Sequence, residues 1–222
     1  MGRLILLLLC FPWLGAVQAQ ESIKFSIGQY RIFDDEDSYS FTPISIKYST
    51  HRYQARLTLP YINDYQGQSG LGNVSVKLSY LSQWKKTFID LNLRQKLATA
   101  NDRLIVPVRD SGVSISLSRY IASGVGLIEL GHTWGNKAQS NQSERKDSFY
   151  YSIGGIYPVK PNISMGLILD HKPTALGKLD RTMTLITQHK MTKKNRIGIN
   201  IAKGLTSTSP NWLVGGVWSH KF

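Results

Sequence analysis

Apolar and polar side chains alternate with a period of two in segment after segment of this chain. Val74, Val76, Leu78 and Tyr80 alternate with Asn73, Ser75, Lys77 and Ser79. Ile89, Leu91 and Leu93 alternate with Asp90, Asn92 and Arg94, and Ile197, Ile199 and Ile201 with Arg196, Gly198 and Asn200. Such alternation specifies strands with one apolar and one polar face. Twelve strands are expected, at 22–32, 39–49, 52–62, 72–82, 86–97, 111–120, 124–134, 147–158, 162–172, 181–191, 195–204 and 211–222. Each is about 9–12 residues long, the length a tilted strand needs to cross the hydrocarbon layer of a bilayer.

The connections alternate too. Long ones (Phe33–Ser38, Asn63–Leu71, Ala98–Asp110, Gly135–Lys146, Pro173–Asp180, Leu205–Pro210) are interleaved with tight ones such as Thr50-His51, Gln83–Lys85 and Thr192–Lys194. Long outer loops and short periplasmic turns are the pattern of a transmembrane barrel. The expected fold is therefore all-β: a single up-and-down antiparallel transmembrane β-barrel of about 12 strands, occupying 20–222. An even strand number leaves both termini on the periplasmic side.

The N-terminus agrees with export. Arg3 precedes an apolar stretch of about 14 residues, and Val17-Gln-Ala19 supplies small side chains for cleavage after Ala19, so 1–19 reads as a signal peptide. Cleavage removes Cys10, the single cysteine, and no disulfide framework remains. Beyond that leader no apolar run approaches the length of a spanning helix. A slightly negative mean hydropathy of −0.20 suits a barrel, half of whose strand residues face the lumen.

The last segment ends on Phe222, with Trp212, Val214 and Trp218 on the same face. A terminal aromatic on such a strand resembles the assembly signal of bacterial outer-membrane barrels, which assigns Phe222 and Trp218 to recognition by the barrel-assembly machinery. Tyr48, Tyr53, Tyr61, Tyr80, Trp134, Phe149, Tyr157 and Trp212 fall toward strand ends on the apolar face, as two aromatic girdles would.

Several stretches resemble one family. Leu59-Pro-Tyr61 leads into Ser69-Gly-Leu-Gly-Asn73 and its following strand; later come Lys96-Leu-Ala-Thr99, Ser111–Arg119 and Gly204–Trp218. Together these are similar to the bacterial outer-membrane barrels grouped as MetA-type "phenol degradation pathway" transporters. The resemblance implies a barrel that passes small molecules, aromatic ones among them. Asn73 stands where that family has an acid.

Side chains opposite the apolar face are expected in the lumen. The basic ones are Lys24, Lys47, Arg56, Lys77, Arg94, Lys96, Lys172 and Arg196, against the acidic Asp90, Glu129 and Asp170, an excess of about five positive charges. Either these groups pair and plug a narrow barrel, or the surplus draws anions through it. The whole chain has 27 basic against 14 acidic residues, yet no one patch or helix concentrates them, which speaks against nucleic acid. Turn lysines such as Lys85-Lys86 and Lys193-Lys194 can reach lipid phosphates. Asp34–Asp37 offers carboxylates for a cation bridge to lipopolysaccharide. Leu104, Ile105 and Val106, in the third long loop, are apolar enough to serve as a lid.

Catalysis has thin support. His132 and His171 are expected outward at the outer rim, without a serine that the sequence sets beside either. No cysteine–histidine metal spacing or phosphate-binding glycine loop occurs. The expectation is a monomeric outer-membrane channel or facilitator for passive passage of a small molecule, with no cofactor and no metal. A basic-lumen porin for acidic saccharides or other anions, and a lipid-modifying barrel enzyme, are the alternatives.

Overall fold

Strand-forming alternation translates directly into staves. The computed structural model describes residues 21–34, 38–63, 67–100, 109–135, 147–173 and 179–222. The expected leader at 1–19, most of the acidic run at 34–37, and the proposed lid residues Leu104, Ile105 and Val106 lie outside the described residues. The strands are β1 (Ser22–Phe33), β2 (Ser38–Ser49), β3 (Tyr53–Asn63), β4 (Ser69–Leu71), β5 (Ser75–Trp84), β6 (Thr87–Lys96) and β7 (Asp110–Ile121). They continue as β8 (Gly124–Gly135), β9 (Ser148–Lys160), β10 (Ile163–Pro173), β11 (Leu179–Lys190), β12 (Asn195–Gly204) and β13 (Trp212–Lys221).

Each strand pairs antiparallel with its neighbour, and β13 pairs with β1 from Phe33↔Trp212 to Lys24↔Lys221. The sheet thus closes on itself as a 12-strand barrel, with β4 and β5 together making the fourth stave against β3. Closure removes the free edges that an open sheet would leave. No helix among the described residues is long and apolar enough to cross a membrane, which leaves the strands to do so.

The fourth stave departs from the single run expected at 72–82. Tyr61 pairs Leu71 while Thr58 pairs Ser75, so two residues of β3 face three residues, 72–74, on the other side. This is a β-bulge, and it turns the alternation over: Leu71 faces out, whereas Ser75 and Lys77 face in. Pro60 sits opposite the break and has no N–H to give. The loose backbone groups are taken up by Thr99, whose Oγ1 accepts from Val74 N at 2.9 Å and donates to Gly72 O at 3.0 Å. Asn73 Oδ1 accepts from Ala100 N at 3.4 Å. The Ser69–Asn73 and Lys96–Thr99 stretches that carried the family resemblance thus meet as one structural knot.

Packing is inverted relative to a water-soluble domain. Only Ile32, Ile62, Val74 and Ala202 are buried apolar residues among those described, while Ile46, Leu78, Leu93, Leu167 and Ile199 are roughly half exposed on the outer wall. Large contiguous apolar surface of this kind needs a partner, and lipid supplies one on every side. Tyr53, Tyr61, Phe149, Tyr157 and Trp212 are exposed among them at the strand ends.

Candidate functional site: the lumen

The inner wall is organised in cross-strand rows. Lys24 pairs Lys221 on one side and Lys47 on the other. Lys47 pairs Arg56, Arg56 pairs Lys77, and Lys77 pairs Arg94. Six basic residues therefore stand shoulder to shoulder on six consecutive staves. Lys24 is near the short-turn end of β1 and Arg94 near the long-loop end of β6, so the row climbs the barrel as the strands tilt. Among the described residues no carboxylate lies within ion-pair distance of Lys24, Lys47, Arg56, Lys77 or Arg94. The closing pairs of a plugged barrel are not formed along this row. Arg94 Nη2 instead donates to Thr133 Oγ1 at 3.4 Å.

The acids form a second row. Asp90 pairs Ser116, Ser116 pairs Glu129, Glu129 pairs Ser152, and Ser152 pairs Asp170. One carboxylate on every second strand alternates with a hydroxyl, and the Ser152 hydroxyl donates to Asp170. The basic row belongs mainly to β13, β1, β2, β3 and β5, the acidic row to β6, β8 and β10.

Three cavities line different sectors of the bore. Toward the short turns, a space of about 200 Å³ is lined by Lys47, Gln54, Arg56, Lys77 and Asp90. A second space of about 250 Å³, against β5 to β10, is lined by Lys77, Arg94, Glu129, Tyr150, Asp170 and Lys172. A third of about 380 Å³, against β10 to β13 and β1, has an apolar wall of Tyr30, Ile168, Ile186, Ala202 and Leu213, with Asn200 beside them. Lys77 and Asn92 border both of the first two, and Asp170 borders both of the last two.

Inward rings are kept against the wall by glycine. Tyr150 lies over Gly131, and Tyr30 over Gly215, in the space a Cβ would need. Tyr30 stacks on Phe41 with centroids 5.0 Å apart and accepts from Asn200 Nδ2 at 3.0 Å. The rings coat the barrel and do not cross it.

The sequence-expected lumen residues Lys47, Arg56, Lys77, Asp90, Arg94, Glu129 and Asp170 all border these cavities. Lys96 faces inward opposite Asp110 at the long-loop end of β6, and Arg196 faces inward at the short-turn end opposite Ser219. Lys221 completes the basic row, and Asp110 and Asp180 add inward acids that the sequence reading had left in loops. Their signal was the alternation itself, carried one or two residues past the assumed strand ends. Trp218 and Phe222 lie on the outer face, and Phe222 N donates to Ile23 O at 2.9 Å as the seam closes.

His132 and His171 are outward rim residues. His132 packs edge-on against Trp134, with Asp147 at 3.9 Å, and His171 stacks on Tyr151 at 4.5 Å. Among the described residues neither has a serine hydroxyl at hydrogen-bond distance, and no cluster of three or more His, Cys, Asp or Glu is arranged to hold a metal ion.

Comparison with solved structures gives the class. The COG4313 outer membrane channel from Pseudomonas putida F1 superposes with a TM-score of 0.74 at 12% identity, over 93% of this chain and 97% of that one. The KdgM porin in complex with disordered oligogalacturonate gives 0.58 at 9% identity, over 90% and 98%. The CymD monoaromatic hydrocarbon channel gives 0.53 at 10% identity, over 91% and 88%. No family profile matches the sequence. No curated protein matches it either. The chain has the fold of Gram-negative outer-membrane β-barrels, and its structural neighbours are bacterial outer-membrane channels and porins.

Proposed function

We infer that this protein is a passive outer-membrane channel that favours small anions. The observation that carries the reading is the row Lys221, Lys24, Lys47, Arg56, Lys77 and Arg94, continuous from one end of the bore toward the other and, among the described residues, without a carboxylate at ion-pair distance from the five that follow Lys221. Charges on a low-dielectric wall focus the field across a narrow bore. An anion handed from one cation to the next never faces a long gap, although Asp90, Glu129 and Asp170 border the same spaces as these cations. The KdgM porin, a neighbour in fold, is described in complex with disordered oligogalacturonate, and an anionic solute of that kind accords with the row.

The experiment is a salt-gradient measurement in planar bilayers. Replacing Arg56, Lys77 and Arg94 together by Gln should move the reversal potential toward the cation side by roughly tens of millivolts, as the positive surplus in the bore shrinks. An unmoved potential contradicts the reading.

A second reading rests on the apolar cavity near the long loops. Passage of compact aromatic molecules accords with it, with the resemblance to MetA-type transporters, and with the name of the CymD neighbour. Permeation by a neutral aromatic that survives the triple Gln substitution would favour it. In either case the outer wall meets lipid, with turn lysines reaching lipid phosphates. The chain works as a monomer without a cofactor, and the terminal strand ending at Phe222 serves the assembly machinery. His132 and His171, both packed on aromatics, act as rim residues and not as bases.

A further inference from the structure

The loop between β12 and β13 does not stand clear of the barrel. Gly204 is an inward position of β12, following Asn200 and Ala202 on the lumen face. The space its Cβ would occupy is taken by the Pro210 carbonyl and by Ser209 Cβ, the latter at 2.7 Å. The loop therefore folds over the strand end into the mouth.

Ser209 fixes it there. Its side chain is buried, at 5% exposure. Its hydroxyl donates to Asp180 Oδ1 at 2.5 Å and accepts from Arg181 N at 3.0 Å. Thr206 Oγ1 is 2.6 Å away, Ser209 N donates to Thr206 O at 3.0 Å, and Leu205 N donates to Arg181 O at 2.8 Å. Asp180 is itself an inward residue and, with Gly204 and Pro210, borders the apolar cavity of about 380 Å³. A hydroxyl bound to a carboxylate is among the stronger uncharged-donor contacts. This one joins residues that belong to different hairpins.

We propose that the loop 205–211 is the size filter of the channel and that Ser209, held by Asp180, is the residue that sets its aperture. The proposal rests on the channel reading but not on the sign of its selectivity. Solutes entering this side of the bore meet Pro210, which the buried Ser209 holds at the rim of the apolar cavity. Compact molecules pass and longer ones are turned back.

The test uses the whole barrel in bilayers and in liposomes. Ser209→Ala should raise single-channel conductance roughly twofold, as expected when a constriction in series is relaxed. It should also admit larger neutral sugars in a swelling assay, while the reversal potential in a salt gradient stays unchanged. Because Cys10, the single cysteine of the chain, precedes the barrel, a Ser209→Cys, Asp180→Cys pair gives a second, reversible control. Oxidised, it should conduct as the unaltered protein does; reduced, it should conduct as Ser209→Ala does. Unchanged conductance and size limit in both, from a protein that conducts normally, would overturn the loop assignment and leave the channel reading intact. An unaltered barrel that is silent, yet opens on reduction or in Ser209→Ala, would support the loop as the closure. A barrel silent in every form overturns the loop assignment and the channel reading together.

Discussion

Asn92 is 5% exposed, and three serine hydroxyls bind its amide. It accepts from Ser79 Oγ at 2.7 Å and donates to Ser114 Oγ at 3.1 Å and Ser116 Oγ at 3.2 Å. One amide thus ties three neighbouring staves where a soluble protein would pack a leucine. Asn92→Ala should cost about 1–3 kcal/mol, because it leaves several part-buried hydroxyls without their partner. The expected result is a lower denaturation midpoint in detergent with ion selectivity retained, since no charge is lost. An unchanged midpoint contradicts this view of the network. Such residues were hard to read from the sequence. Asn92 looked like one more polar alternate, and only the register shows that Ser79, Ser114 and Ser116 converge on it. The inward positions of Lys47, Arg56, Lys77 and Arg94 were legible from alternation alone; their alignment into one row was not, because a row is a property of the register between strands.

At the scale of elements, β13 is the strand on which closure depends. It pairs with β12 on one side and β1 on the other, and Phe222 continues the seam beyond Lys221. Its ring lies edge-on 4.6 Å from His220, which in turn neighbours a tilted Trp218 at 6.1 Å, an aromatic cluster on the outer face. Deleting Phe222 should lower the amount of folded barrel recovered from the outer membrane while leaving the conductance of the barrels that do form unchanged. Normal recovery would contradict an assembly role. The strands were legible to within a few residues because a one-residue slip would turn the apolar face into the lumen. The bulge at 72–74 was not, because the extra residue leaves the sequence alternating on both sides of it. The inward fold of the last loop was equally hidden: it depends on a contact between Ser209 and Asp180, which the sequence separates by 29 positions.

For the molecule as a whole, the arrangement of charge matters more than its sum. A net charge of +13 is shared among turns, loops and lumen, and by itself predicts little about what crosses. On the anion-channel reading, selectivity comes from cations that occupy one continuous row, with no carboxylate at ion-pair distance from Lys24, Lys47, Arg56, Lys77 or Arg94 among the described residues, while the lumenal acids Asp90, Glu129 and Asp170 are spaced on alternate strands and separated by serines. The row borders the two smaller spaces, of about 200 and 250 Å³, so an ion in either lies close to that wall. Close passage makes the wall charge hard to screen, since screening acts over roughly 10 Å at 0.1 M salt. The most direct measurement is the reversal potential of the unaltered barrel in a planar bilayer under a potassium chloride gradient. A potential displaced toward the chloride equilibrium value, and weakening as salt rises, is the predicted result. A potential at zero or on the potassium side would contradict the anion path.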